Sequence, residues 1–219
     1  KYVYQKKKKK ILLIQNKALE LSMFLSIPAS VALVIGSEQI ISALFGYGSF
    51  TEVSVLNSSK ALYYFGLGLP AFALIKVFST FFFANHDTKT PFYISLVSVL
   101  LNILISVYFF KDIGFIIIPI ATTISSWFNS LILFVCLKNK DLFEFNEIFF
   151  KKFVKIIFAS IMMGIFFKYL ILFFENELSF THLFKSVYLV LCVLLTIIFY
   201  FVLSYFIKAF NYQDIKLKY

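Results

Sequence analysis

One stretch of the chain places an ionisable side chain and several helix-breaking residues inside an apolar run that is long enough to span a membrane. Gly66, Gly68 and Pro70 lie in this run, and Lys76 follows the proline by six residues. Charge at membrane depth is costly without a partner, so Lys76 is a candidate to meet an anionic substrate group or to pair with a carboxylate. The alternative is a lysine that snorkels to the membrane surface.

A compact polar turn over residues 85–91 closes the same run. It ends on Pro91, which suits the start of a helix because the first amides of a helix have no internal partner. Charge and helix breakers at membrane depth usually mark a transport pathway or a site where helices pack.

Two single amides, Asn102 and Asn129, lie in later apolar runs near several hydroxyl residues. Such groups form hydrogen bonds between helices in membranes, each contributing roughly 0.6–2 kcal/mol. Small residues allow helices to approach closely and proline bends them. We predict a structural role for Gly66, Gly68, Pro70, Asn102 and Asn129.

The sequence offers no pattern that is typical of an enzyme or of a metal site. Cys136 and Cys192 lie in apolar runs, and His86 and His182 are isolated from each other. The acidic residues lie in loops or toward helix ends, without a nucleophile–base spacing or a phosphate-binding loop. We therefore predict no catalysis, no cofactor and no bound metal.

Composition defines the class of protein. Of the 219 residues, 61% are hydrophobic and 15% are charged, whereas a soluble domain is about 45–50% apolar and about 25% charged. A transmembrane helix needs about 20 apolar residues. We predict an all-α integral membrane protein with six transmembrane helices, over residues 18–45, 60–84, 92–110, 113–137, 153–174 and 183–207.

The distribution of lysine predicts the orientation. All 21 basic residues are lysine, and they concentrate in the N-terminal segment and in every second connection. Because basic loops stay in the cytoplasm, both termini are predicted to be cytoplasmic. The run of five lysines at 6–10 is predicted to touch anionic membrane lipid rather than nucleic acid.

Changes in composition also suggest subdivisions. Spans one to four are rich in small and polar residues, whereas the last two are almost entirely apolar, so we expect the last two to be more exposed to lipid. The predicted parts are a basic cytoplasmic or interfacial segment at 1–17, a four-helix part at 18–137, a cytoplasmic linker at 138–152, a terminal transmembrane hairpin at 153–208 and a cytoplasmic tail at 209–219.

Several of these runs together resemble the MurJ/MviN family of lipid II flippases, within the MATE-like (multidrug/oligosaccharidyl-lipid/polysaccharide) exporter superfamily. The similarity is carried by FGYGSFT at 45–51, YFGLGLP at 64–70, KV at 76–77, FFA at 82–84, DTKTP at 87–91 and the entry at 18–29. The resemblance implies two six-helix lobes and a terminal helix pair, of which this chain corresponds to helices nine to fourteen. It also implies a groove for a lipid tail along the last two spans. Because they match positions typical of this half of the family, the candidate substrate-contacting or gating residues are Lys76, Asp87, Thr88, Lys89 and Pro91.

The resemblance implies a function at the bacterial inner membrane, the outward movement of undecaprenyl-linked peptidoglycan precursor. The implied partners are that lipid-linked precursor and an N-terminal lobe, supplied in cis or in trans. Two alternatives stay open. One is a polysaccharide-lipid or drug/cation exporter of the same superfamily. The other is a non-transporting fragment of a split or decaying gene, suggested by a first residue, Lys1, that is not methionine.

Overall fold

The computed structural model describes residues 2–209, with side chains from Lys9 onward, and the regular elements in this part of the chain are all helical. This confirms the predicted all-α class. The predicted tail at 209–219 lies, apart from Ala209, outside the described residues. The helices are α1 (Tyr2–Phe45), α2 (Glu52–Ala84), α3 (Lys89–Ile113), α4 (Ile117–Asn139), α5 (Glu147–Phe173) and α6 (Lys185–Phe206).

Five helical segments in the described chain are long and apolar enough to cross a membrane, not the predicted six. The difference arises in one segment, Lys89–Asn139, in which α3 and α4 are joined by a single 3₁₀ turn. The backbone reverses there at Gly114, whose φ of 72° suits glycine. Asn102 on α3 consequently donates to Thr122 on α4 across 3.0 Å, so the two helices pack antiparallel.

The beginning of α2 differs from the prediction. Thr51 caps this helix, because its hydroxyl accepts a hydrogen bond from the Ser54 amide at 3.2 Å. Lys60 was predicted to begin the span, and that prediction is wrong: it lies eight residues inside the helix. The apolar run marks where the helix becomes hydrophobic, whereas the cap marks where it begins.

The helix α1 is the centre of the bundle and packs against α2, α5 and α6, while α4 joins α2 to α3. The backbone of α1 is helical from Tyr2, so the lysine run at 6–10 belongs to the same unbroken helix as the first predicted span. Two glycines permit the close approach of α5. A Cβ on Gly36 would lie 2.6 Å from Phe167, and one on Gly164 would lie 2.6 Å from Val31.

This close approach corrects, for α5, the prediction that the last two helices are the more lipid-exposed ones. α5 buries nine residues, among them Ser160 and Gly164, which face its neighbours. α3 is the more exposed helix, since it buries only Pro91, Ile94 and Ser98. Composition could not show this, because an apolar side chain suits lipid and a helix interface equally well.

Two prolines inside helices each free a carbonyl group, and a hydroxyl from a neighbouring helix occupies it. Pro70 has no amide hydrogen for the carbonyl of Gly66, four residues earlier, and Ser30 donates to that carbonyl at 2.7 Å. Pro28 likewise frees the carbonyl of Phe24, which accepts from the Tyr200 hydroxyl at 2.8 Å. In a membrane such carbonyls have no water to bind, so these bonds join α1 to α2 and to α6.

Candidate functional site

The turn between α2 and α3 is built around Asp87. One oxygen of its carboxylate accepts from the Thr90 amide at 3.0 Å and the other from the Thr90 hydroxyl at 2.7 Å. The second oxygen also lies 2.6 Å from Nζ of Lys140, at the end of α4. Lys140 donates to the Thr90 hydroxyl as well, at 2.9 Å. The turn is thereby tied to α4 by an ion pair.

These contacts also set the charge state of Asp87. The hydrogen bond from Lys140 and those from the Thr90 amide and hydroxyl lower the pKa of this carboxyl well below its usual range. Asp87 is therefore ionised at neutral pH. The ionised carboxylate therefore joins the α2–α3 turn to the end of α4 through Lys140.

The other predicted gating residues are not drawn into this network. Thr88 and Lys89 are exposed, and Pro91 is buried in the first turn of α3. Lys76 is exposed on α2, and within the described chain its ammonium has no hydrogen-bond or ion-pair partner. Its main-chain carbonyl accepts from Thr80 at 2.8 Å. The structure therefore brings Asp87 and Thr90 together with Lys140, and leaves Lys76 apart.

The predicted structural residues lie at helix interfaces. A Cβ on Gly68 would be 3.0 Å from the Thr123 hydroxyl, so its absence lets α2 and α4 approach closely. Asn102 donates to Thr122 and, at 3.3 Å, to Ser125. These groups line a polar cavity of about 250 Å³ between α3 and α4, and Asn129 lies in its wall. A structural role for these residues stays a prediction.

An apolar groove of about 440 Å³ lies between α1, α5 and α6. Pro28 and Ala29 form part of one wall, Met163 and Phe167 come from α5, and α6 supplies the opposite wall. The small side chain of Ala29 leaves space there. An apolar groove of this kind suits an alkyl chain.

A buried lysine closes the end of the bundle where α1 ends and α6 begins. Lys185 is only 1% exposed. Its ammonium donates to the carbonyls of Gly46 at 2.7 Å and Phe180 at 2.6 Å, and it lies 4.5 Å from the ring centres of Tyr47 and Phe180. We refer to Lys185 with Gly46, Tyr47 and Phe180 as the lysine clasp.

At the other end of the bundle, the connection between α4 and α5 is docked on α1. Lys152 pairs with Glu20 at 2.7 Å, and both side chains are largely buried. Asn16 donates to the carbonyl of Glu144 at 2.8 Å and accepts from the amide of Asn146 at 3.0 Å. The connection is thus held by a charge pair and two amide contacts.

Sequence reasoning missed Lys140, Lys185 and the pair of Glu20 with Lys152. In the sequence, these residues contribute only to the overall charge distribution. The partners are separated by 53, 139 and 132 residues along the chain, so no local spacing relates them. The available signal was weaker: Glu20 is the one acidic residue within the first 37 residues, where many lysines surround it.

The long apolar helices, with their proline-freed carbonyls bonded to hydroxyls of neighbouring helices, define a multi-pass membrane protein. Residues 1–189 match the family model described as "Lipid II flippase MurJ". The chain belongs to the MurJ family, as the resemblance of its motifs predicts.

Known proteins show the same relationship. The "Probable lipid II flippase MurJ" of Rhizobium meliloti is 39% identical over 124 residues, which are 57% of this chain and 23% of the relative. That of Thermotoga maritima is 36% identical over 143 residues, or 65% and 28%. The solved structure "Lipid II flippase MurJ, inward closed conformation" superposes with a TM-score of 0.70 at 26% identity, covering 91% of this chain and 40% of its own.

The chain spans between about a quarter and two fifths of the length of the relatives it matches. A relative from Buchnera aphidicola subsp. Schizaphis graminum aligns over 94% of this chain and 40% of its own length, at 28% identity. Nearly the whole chain therefore corresponds to one continuous part of a MurJ protein.

Proposed function

We propose that this chain is the C-terminal part of a lipid II flippase, which moves undecaprenyl-linked peptidoglycan precursor across the bacterial inner membrane. The family match over residues 1–189 carries this proposal. The other part of the transporter would be an N-terminal lobe, supplied in cis or in trans. The protein would act by changing which side of the membrane its cavity faces, without making or breaking covalent bonds.

The groove between α1, α5 and α6 supports a lipid-linked substrate. Its walls are almost entirely apolar, and Leu25, Ala29 and Phe201 lie at its exposed edge. A substrate with a polar head and a long isoprenoid tail needs such a surface for the tail while the head crosses, because the tail stays in the hydrocarbon of the membrane.

Charge supports an orientation with both chain termini in the cytoplasm. On that orientation the Asp87 turn, the end of α4 and the start of α5 lie on the cytoplasmic side, with Lys138, Lys140, Lys151 and Lys152. The lysine clasp lies on the outer side. The lysine run at 6–10 would then meet the anionic lipid of the inner leaflet.

The test is rescue of bacteria that are depleted of their own lipid II flippase. The gene that contains this chain is expressed from its natural start, and growth and peptidoglycan synthesis are measured. We expect rescue. A related exporter of another substrate would be expressed and inserted without restoring growth, and that result would overturn the proposal.

A matched pair of variants tests the groove in the same assay. Ala29→Trp places a large ring in the groove, whereas Ala18→Trp places the same ring at an exposed site on the same helix, outside the groove. Ala29→Trp should abolish or strongly reduce rescue at normal protein levels, and Ala18→Trp should rescue fully. Equal rescue by the two variants would show that the groove does not carry the tail.

A further inference from the structure

A second, polar cleft lies on the outer half of the bundle, between α1, α2 and the beginning of α4. Its volume is about 450 Å³. One side of it is formed by Ile113 at the end of α3, Ile116 in the 3₁₀ turn and Ile120 in α4. Its polar wall consists of Ser37, Glu38, Ser59, Lys60, Tyr63 and Tyr64. None of these side chains lines the apolar groove between α1, α5 and α6 or takes part in the Asp87 turn.

The two charged residues of the cleft lie at matching depths. Glu38 precedes the end of α1 by seven residues, and Lys60 follows the start of α2 by eight. At 1.5 Å per residue, these positions are about 10 and about 12 Å inside the ends of their helices. Glu38 lies within the apolar run of α1, where an ionised group is costly without a partner, and Lys60 lies where the apolar part of α2 begins.

Glu38 and Lys60 are held in one cleft without pairing with each other. The ion pairs within the described chain are those of Lys140 with Asp87 and of Lys152 with Glu20. Glu38 and Lys60 are both exposed to the cleft. A carboxylate and an ammonium that face the same space, farther than 4.0 Å apart, leave room for a ligand that contacts each.

Hydrogen bonds between neighbouring helices fix the walls of the cleft. Ser30 on α1 donates to the carbonyl of Gly66 on α2, and Thr123 on α4 donates to that of Tyr64 at 2.6 Å. The rings of Tyr63 and Tyr64 lie edge to face, with centroids 5.4 Å apart. The cleft is therefore preorganised, which lowers the cost of binding.

The charges select the class of ligand. A diphosphate would meet one ammonium and be repelled by the carboxylate of Glu38. A group that carries both a carboxylate and an amine can bind Lys60 and Glu38 at once, with the tyrosine rings against its apolar atoms. We propose that this cleft binds the peptide part of the lipid-linked precursor, with a peptide carboxylate on Lys60 and a peptide amine on Glu38. This assignment rests on the proposed function.

Binding measurements with two probes test it. The protein is expressed from its own complete gene and purified in lipid nanodiscs. The probes are lipid II with a free amine in its peptide, and the same molecule with that amine acetylated. Wild type should bind the free-amine probe at least about tenfold more tightly, because acetylation removes the charged hydrogen bond between the amine and Glu38.

Single variants assign the two contacts. Glu38→Gln should weaken binding of the free-amine probe about tenfold and leave the acetylated probe unchanged, whereas Lys60→Met should weaken both. Glu52→Gln and Lys111→Met, at exposed positions outside the cleft, serve as controls and should bind like wild type. Wild-type affinities for Glu38→Gln and Lys60→Met would overturn the proposal.

The charge-swapped double variant separates binding from a purely structural pair. If Glu38 and Lys60 served only each other, Glu38→Lys with Lys60→Glu would restore wild-type affinity, and that result would overturn the proposal. We expect no restoration, since a head group attached to its tail cannot reverse in the cleft. Failure of wild type to bind either probe or to rescue growth would overturn the proposed function itself. Rescue with equal affinities for the two probes would overturn only the assignment of the cleft.

Discussion

Ser30 and Tyr200 have the same physical role in two different places. Each donates a hydroxyl hydrogen to a carbonyl whose usual donor is missing because proline stands four residues later. Inside a membrane no water can donate a hydrogen bond to this carbonyl. The hydroxyl supplies that hydrogen bond and joins a neighbouring helix to the carbonyl's helix. The carbonyl that each proline frees therefore becomes a contact point between two helices.

The contact of Tyr200 can be tested by a double-mutant cycle with Pro28. Tyr200→Phe should destabilise the protein by about 1–3 kcal/mol, because the carbonyl of Phe24 is left buried without a donor. In a Pro28→Ala background the helix regains an amide donor for this carbonyl, so the same substitution should cost much less. Thermal unfolding in nanodiscs measures the four proteins. Equal costs in the two backgrounds would contradict this account of the hydroxyl.

Protonation of Asp87 provides a second test at this scale. Its pKa is lower in the folded protein than in the unfolded chain, so the ion pair with Lys140 stabilises the fold above the usual carboxyl pKa of about 4. That stabilisation is lost as the pH falls further, toward the lowered pKa. Asp87→Asn should therefore unfold at a lower temperature than wild type at pH 7, and the difference should shrink below about pH 4. A difference that is independent of pH would contradict an ionised Asp87.

At the scale of helices, α1 is held at two points by charged side chains from distant parts of the chain. Lys152 of α5 pairs with Glu20 in the first half of α1, and Lys185 of α6 donates to Gly46 directly after its end. The apolar groove runs along α1 between these two points. The groove can widen only if the helices move between the two fastenings or if one fastening opens.

The pair of Glu20 with Lys152 is predicted to be strongly coupled. Removing one partner, by Glu20→Gln or Lys152→Met, should cost about 3 kcal/mol, because the other charge stays largely buried. The double variant should cost clearly less than the sum of the two single variants. Unfolding free energies of the three variants decide the point, and additive losses would show that the two residues stabilise the protein independently.

The lysine clasp makes a complementary prediction. Lys185→Met removes the donor from two buried carbonyls, those of Gly46 and Phe180, and should destabilise the protein by about 1–3 kcal/mol. Lys168→Met changes an exposed lysine in α5 and should alter stability by less than about 0.5 kcal/mol. If Lys185→Met were as stable as Lys168→Met, the hydrogen bonds of Lys185 would not stabilise the fold.

At the scale of the whole molecule, the helices form a bundle in which α1 and α4 carry the contacts and α3 is left with a wide exposed face. The chain corresponds to less than half of its relatives. The polar cleft of Glu38 and Lys60 and the apolar groove between α1, α5 and α6 lie on different sides of α1. Under the proposed function, the head group and the tail would be held at the same time by separate surfaces of one bundle.

Orientation is tested by labelling single cysteines with a membrane-impermeant maleimide. The background is Cys136→Ala with Cys192→Ala. The probes are Lys111→Cys, near the end of α3 beside the 3₁₀ turn, and Asn139→Cys, at the opposite end of α4. Lys111→Cys should be labelled in intact cells, and Asn139→Cys only after permeabilisation. The reverse pattern would place both termini outside and contradict the orientation inferred from lysine.

Several features were predictable from the sequence because they depend on local properties. Hydropathy identifies long apolar helices, and the DTKTP turn marks the junction of α2 with α3. The length of α2 was underestimated, since five of its first eight residues are polar. The structure has five continuous apolar segments instead of six because α3 and α4, which run antiparallel, are joined by a single 3₁₀ turn and form one segment.

The sequence by itself determined the class of protein, its family and the polar groups that a membrane makes costly. Only the tertiary structure decided their partners: Lys140 for Asp87, the carbonyl of Gly46 for Lys185, and the Tyr200 hydroxyl for a carbonyl 176 residues away. The reason is physical. Apolar periodicity and turn chemistry act over a few neighbouring residues, whereas the partner of a buried polar group depends on which helices pack together and at what depth.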